Sequence, residues 1–276
     1  HQALAHKIPV YMADRTGTFL GALTSFTPAQ NNYKHWFIQL QMSDNAEFAL
    51  NFAKAIVESR IHNQRKTLMR RKANRKQFAE PIKKLTLLNH KAQGAKKLAS
   101  LNGYEGGATK LYFQQLNSLL PEWAQFEKRT RRPPKDPFNV LLSLGYTVLY
   151  SHIDAILQSA GFMTWKGIYH QQSPAHAALA SDLMETYRHL VERHAIQVIN
   201  HGSIKQDDFR EETNATGTKG LRLSAEARRR YVAGLIRRFQ NFSKQQTLHQ
   251  HLYQQALALK KAMLTHTQFT PWKETK

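Results

Sequence analysis

The stretch SPAHAALASDLMETYRHLVERHAIQV, residues 173 to 198, decides the fold. Leu179, Leu183, Tyr187, Leu190, Val191 and Val198 recur at helical spacing and form one apolar stripe. Ser173-Pro174 reads as the start of this helix. A serine oxygen accepts the free amides of a first turn, and proline suits the first helical position because it has no N–H to satisfy. Asp182 and Glu185 stand three residues apart and so share a face. Two acids on one face suit a cation; the plain alternative is pairing with Arg188 or a lysine.

The periodicity recurs on both sides. Ser43-Asp44-Asn45 offers capping oxygens, and Phe48, Phe52, Ile56 and Val57 follow at helical spacing. Asp136-Pro137 precedes an apolar segment from Phe138 to Leu157, and a last helix or pair of helices runs from about Ala225 to Met263. Two stretches differ. Residues 8 to 26 read as two short strands around the turn Arg15-Thr16-Gly17. Two strands cannot bury a sheet face alone, so their partners are expected upstream. Residues 200 to 222 are rich in Gly, Thr, Asn and charge and read as a mobile loop. The fold class is mainly α.

Composition narrows the chemistry. Hydrophobic residues make up 41% of the 276 and charged residues 21%, enough apolar matter for a core. Cys is absent, which excludes a disulfide scaffold, a thiolate metal site and a Cys nucleophile, and fits a reducing cytoplasm. The best apolar run, Phe138 to Tyr150, falls short of the ~20 residues a membrane span needs and reads as a buried helix. Charge is the outlier. Lys plus Arg is 40 against 19 Asp plus Glu, a net +21 that self-repels unless a polyanion neutralises it. Nucleic acid is preferred over an anionic membrane surface, and no membrane partner is expected. Between Ser59 and Ser100, thirteen Lys and Arg face Glu80 alone, too one-sided for pairing within helices. Arg60, Arg65, Lys66, Arg70, Arg71, Arg75 and Lys76 of this cluster are expected to contact phosphates, as are Arg131 and Arg132 of a second cluster. A third cluster is Arg228-Arg229-Arg230 with Arg237-Arg238.

Three pieces can carry out chemistry. In NGYEGGATKLYF, residues 102 to 113, Glu105 stands among glycines at what reads as the opening of a helix, its carboxylate little covered. Gly167-Ile168-Tyr169-His170 is a loop ending in histidine. Asp182 and Glu185 complete the set. A His nitrogen with carboxylate oxygens suits Mg²⁺ or Mn²⁺ at an open site. Such a metal polarises a phosphodiester. Each piece also has a plain structural reading: a Glu favouring a helix dipole, an exposed His, an ion pair.

In this order the pieces resemble the CRISPR-associated integrase family, the Cas-one subunit of the spacer-acquisition complex. Glu105-Gly106 with Tyr112-Phe113 resembles its first acidic motif. Gly161 through Gly167-Ile168-Tyr169-His170 resembles the loop ending in its metal-binding histidine. Leu179 to Arg188 resembles its D-L-M-E-x-F-R helix, with Tyr187 in place of Phe. Arg131-Arg132-Pro133-Pro134-Lys135-Asp136-Pro137-Phe138-Asn139 resembles its basic segment, and Ile56-Val57 with Asn63-Gln64-Arg65 its first long helix. The likeness runs from about Ile8 to Arg238.

The resemblance implies a helical catalytic domain over 43–276, preceded by the remnant of a small N-terminal β-domain within 1–42. It implies Glu105, His170 and Glu185 as ligands of Mg²⁺ or Mn²⁺, with Asp182 an acidic neighbour. The implied reaction is insertion of captured short DNA into a CRISPR repeat array by a 3′-hydroxyl, in a prokaryotic cytoplasm. The implied partners are DNA, a second copy of the chain, and a small ferredoxin-like subunit that bridges two dimers. Some members are fused to a reverse transcriptase, and a chain cut from such a fusion would look like this one. A DNA-repair nuclease and a non-enzymatic nucleic-acid-binding scaffold are the alternatives.

Overall fold

A computed structural model describes residues 1–5, 10–13, 19–23, 32–71, 75–131, 133–170, 176–213 and 217–275. In chain order these form α1 (Gln2–Ala5), β1 (Val10–Ala13), β2 (Phe19–Leu23), α2 (Asn32–Asp44), α3 (Ala46–Met69), α4 (Arg75–Gln93) and α5 (Leu98–Asn117). There follow α6 (Pro137–Ser159), α7 (Ala178–Asn200), β3 (Phe209–Thr213), β4 (Lys219–Leu223), α8 (Ala225–Gln240) and α9 (Leu248–Leu264). Helices dominate, as the periodicity predicts.

The buried axis is α7, packed between α3 and α6, with α4 and α5 beyond α3 and with α8 and α9 beside α6. Its burial exceeds the predicted stripe: every residue from Ala178 to Tyr187 is buried. Asp182, Glu185, Thr186, His189, Glu192 and His194 go inside with the leucines. Buried polar groups are costly unless paired, so this helix needs partners for its acids. Its start differs from the sequence reading. The helix begins at Ala178 behind Ala177, which offers no capping side chain. Tertiary contacts fix this end instead: Leu179 N donates to Thr164 O at 2.9 Å and Ala177 N to Tyr150 Oη at 2.6 Å. Ser173 and Pro174 lie outside the described residues.

α6 starts as its sequence dictates. Asp136 Oδ1 accepts from Asn139 N at 2.8 Å with Pro137 in the first turn. Among the described helices it alone is long and apolar enough to cross a bilayer, a longer run than the sequence reading allowed. Here Phe138, Leu141, Leu142, Leu149, Ile153 and Leu157 are buried within the helical body. Gly145 sets the closeness of this packing. A Cβ there would lie 2.4 Å from Val191 Cγ1 and 2.6 Å from Tyr231 Oη, so α6 meets α7 and α8 only because residue 145 has no side chain.

Three further elements correct the sequence reading. Ser43 and Asp44 do not cap a helix; they end α2, and Asn45 caps α3 by accepting from Phe48 N at 2.9 Å. α2 joins the body through Gln39, whose amide donates to Met163 O at 2.8 Å and accepts from Met163 N at 3.0 Å. Within the expected mobile loop, β3 and β4 pair as an antiparallel hairpin, Phe209 opposite Leu223. Residues 225 to 264 hold a pair of helices. β1 and β2 pair antiparallel, Val10 opposite Leu23.

The segment after α9 forms a strap across α3 and α7. Phe269 stacks on Phe52 at 5.7 Å, and Trp272 stacks on Tyr187 at 5.4 Å. Asn63 of α3 ties three pieces together: its amide donates to Thr186 O at 2.9 Å and its oxygen accepts from Glu274 N at 2.8 Å. Arg70 and Arg193 both bind the Glu274 carboxylate.

Candidate metal centre

Glu105, His170, Asp182 and Glu185 come from two helices and one loop; Arg60 of α3 joins Glu105 to Glu185, His170 stands beside Glu185, and Asp182 holds His170. The Arg60 guanidinium lies 2.5 Å from Glu105 Oε1 and is also paired with Glu185 Oε2. Arg188 Nη2 holds the other Glu185 oxygen at 2.8 Å. His170 Nε2 stands 4.0 Å from that same oxygen. Side-chain exposure grades outward, from Asp182 at 0% and Glu185 at 4% through Arg60 at 12% and Glu105 at 19% to His170 at 38%. Glu105, Asn102, Lys166, Gly167, Tyr169 and His170 line an open cleft of about 810 Å³.

Glu105 is not at a helix start. It lies within α5, and its glycines lie inside that helix too. Nothing among the described residues stands within 4 Å of where a Cβ on Gly103 or Gly106 would be, so α5 is open at both positions. The His170 loop is built by Asp182. Asp182 Oδ2 accepts from Ile168 N at 2.7 Å and Tyr169 N at 3.1 Å. Its Oδ1 accepts from His170 N at 2.8 Å and lies 2.7 Å from His170 Nδ1. Asp182 is thus spent on the loop and does not face Glu105. With the Nδ1 proton held, Nε2 is the nitrogen left for a ligand. Gly167 permits the sharp return: a Cβ there would meet His170 O at 2.4 Å and Ala178 Cβ at 2.8 Å.

Charge balances the burial. Burial works against the Arg60 cation, but Glu185 and Glu105 outweigh it and raise its pKa. Burial pushes the Glu185 carboxyl up, while Arg188, Arg60 and His170 together pull it below the ordinary range. Burial lowers His170, and Asp182 and Glu185 more than restore it, leaving it raised. Behind the site lies a fourth acid. Glu192 accepts from Tyr146 Oη at 2.7 Å and Tyr112 Oη at 2.8 Å, and burial raises its pKa. The Arg188 guanidinium sits 4.8 Å over the Tyr146 ring. Two carboxylates and an imidazole match the oxygen and nitrogen preference of Mg²⁺ or Mn²⁺. As they stand, no three His, Asp or Glu side chains among the described residues meet as metal ligands, because Arg60 holds the two carboxylates.

The expected phosphate-binding residues divide. Arg60 belongs to the acidic centre, a correction to its reading as a surface contact. Arg70 is committed to Glu274, and Lys66 Nζ donates to Thr275 O at 2.8 Å. Arg65 and Arg71 are half-buried, whereas Arg75, Lys76 and Arg131 are exposed; Arg132 lies outside the described residues. Arg129, two residues before Arg131, turns inward to Asn139 Oδ1 at 2.8 Å and Ser143 Oγ at 3.1 Å. Sequence reasoning missed Glu192, Tyr146 and the strap. The Tyr112 of the first acidic motif was the available signal for the first two.

Comparison with known proteins agrees with the order of the motifs. The family described as CRISPR associated protein Cas1 matches residues 1–237. A CRISPR-associated endonuclease Cas1 of Mycobacterium tuberculosis is 32% identical over 222 residues, 80% of this chain and 65% of that protein. A CRISPR-associated exonuclease Cas4/endonuclease Cas1 fusion of Rhodospirillum rubrum is 35% identical over 248 residues, 86% of this chain and 41% of that protein. This chain therefore spans less than two thirds of either relative's length. A chain solved in a partial Cas6-RT-Cas1–Cas2 complex superposes with a TM-score of 0.91 at 69% identity, covering 100% of this chain and 84% of that one. By sequence and by fold alike, the chain belongs to the CRISPR-associated Cas1 family.

Proposed function

We propose that this chain is a metal-dependent DNA integrase that inserts captured short DNA into a CRISPR repeat array. The observation that carries the proposal is that Glu105 and Glu185 face each other across Arg60 with His170 Nε2 4.0 Å from Glu185, at the edge of an open cleft. In the reaction, the 3′-oxygen of the captured strand forms a bond to phosphorus at the repeat border. The bond from that phosphorus to the 3′-oxygen of the repeat strand breaks, its proton supplied in exchange for the one lost by the attacking hydroxyl. Mg²⁺ or Mn²⁺ held by Glu105, His170 and Glu185 would supply Lewis-acid stabilisation of the charge on the phosphate oxygens.

The chain's own residues do the positioning. Asp182 keeps His170 in one tautomer and one orientation. The open cleft lined by Asn102, Glu105 and His170 admits a nucleic-acid backbone beside Glu105. Exposed Arg75, Lys76 and Arg131 meet phosphates and hold the DNA in line, which is where alignment lowers the barrier. The likeness to a chain from a Cas6-RT-Cas1–Cas2 complex supports a Cas2 partner and a linked reverse transcriptase. A dimer of the chain bridged by that small partner completes the proposed assembly.

The test is strand transfer of a labelled DNA into a repeat-bearing plasmid, using the full-length protein with its partner subunit. Glu105→Gln, Glu185→Gln and His170→Ala should each nearly abolish integration and leave DNA affinity within a few-fold, and a chelator should stop the wild type. A folded Glu105→Gln variant that integrates at the wild-type rate sinks the assignment. Cutting without joining would instead favour a repair nuclease.

A further inference from the structure

Arg60 occupies the space in which the two acidic ligands face each other. Its guanidinium contacts one oxygen of Glu105 and one of Glu185, and these are two of the three groups suited to the cation. A guanidinium and a divalent cation compete for those oxygens, because like charges a few ångströms apart repel in a partly buried site. We propose that Arg60 is a built-in counter-ion that competes with the divalent cation for Glu105 and Glu185 and must move for the cation to bind. This rests on the metal reading of the site.

Three observations carry the inference. Without a cation, the carboxylates of α5 and α7 would face each other with little water, so Arg60 keeps the pair of helices compatible when no metal is present. The three ligands do not meet at metal distance as they stand, and the gap between them is where the guanidinium lies. Among the described residues, Arg60 Nε is buried with no hydrogen-bond partner, so the side chain is incompletely satisfied in this position. A receiving group lies nearby. Glu192 follows Glu185 by two turns on α7 and is buried, its carboxylate accepting from Tyr146 Oη at 2.7 Å and Tyr112 Oη at 2.8 Å, and its charge favours the Arg60 cation. The structure thus offers a swap: the guanidinium shifts toward Glu192 as the divalent cation takes Glu105 and Glu185.

The experiment measures Mn²⁺ binding to the full-length protein without DNA, from the electron paramagnetic resonance signal of free Mn²⁺. Arg60→Gln should bind Mn²⁺ about tenfold or more tightly than wild type, since a like charge beside the site is removed. Arg60→Lys keeps the charge on a smaller head that holds one carboxylate at a time. It should fold where Arg60→Gln does not, and should tighten binding less. Glu105→Gln is the control for the site itself. If it leaves Mn²⁺ binding intact, the metal reading fails whatever the Arg60 variants do. If Glu105→Gln weakens binding yet neither Arg60 variant binds more tightly than wild type, the competition is wrong. Glu192→Gln should weaken Mn²⁺ binding in the wild type and have no effect once Arg60 is replaced. Equal weakening in both backgrounds would remove Glu192 as the receiving group.

Discussion

Asp182 shows what one residue can do at a distance from the chemistry. Its two oxygens take three backbone amides and one imidazole, so it fixes the loop and the ring together. Asp182→Asn replaces one acceptor oxygen by an NH₂ that faces other donors. Leaving buried donors unpaired costs about 1–3 kcal/mol, so the melting temperature should fall. Strand transfer should drop as far as in His170→Ala, although Asp182 is no ligand. Near-normal integration by a folded Asp182→Asn would show that the loop holds without it. The acids themselves were legible in sequence: spacing puts Asp182 and Glu185 on one face, and the family motifs pick out Glu105 and His170. Their division of labour was not, because only the fold shows that Asp182 points at the loop. Arg60 was misread for the same reason. Composition counts it with twelve other basic residues, whereas its neighbours across the core decide where its charge goes.

At the scale of elements, the helices that announce themselves locally are those with a cap or a clean apolar period. α6, with Asp136 and Pro137 at its start, and the pair α8 and α9 were legible on those terms. The start of α7 and the β3–β4 hairpin were not, since both depend on tertiary contact. The hairpin carries Gly220 against Pro133, where a Cβ would lie 2.4 Å from the proline ring, and Leu221 N donates to Pro134 O at 2.9 Å. Nothing within 200–222 announces that surface. Close approach also governs α6. Gly145→Ala would force a methyl into Val191 and the Tyr231 hydroxyl. Overpacking of this kind costs about 1–3 kcal/mol, so the urea midpoint should drop with little change in slope. An unchanged midpoint would mean that the three helices can separate at no cost.

For the whole molecule, the excess of 21 positive charges is unevenly available. Arg60 and Arg70 are already paired with Glu105, Glu185 and Glu274, while Arg75, Lys76 and Arg131 are exposed. On duplex DNA each phosphate contact contributes about −0.9 to the slope of log K against log salt. Replacing Arg75, Lys76 and Arg131 by Ala should therefore flatten the slope, and Arg70→Ala should leave it nearly unchanged. The reverse pattern would place the DNA on the face of the strap. That strap has a consequence in time as well as in space. The acids and the arginine of the centre are all encoded by residue 185, yet Ser59 is joined to Trp272, Asn63 to Glu274 and Arg193 to Glu274 across separations of 213, 211 and 81 residues. During synthesis these ties cannot form until Trp272 and Glu274 have left the ribosome. A chain made only as far as Arg193 holds every side chain of the centre but lacks the brace that fixes α3 against α7.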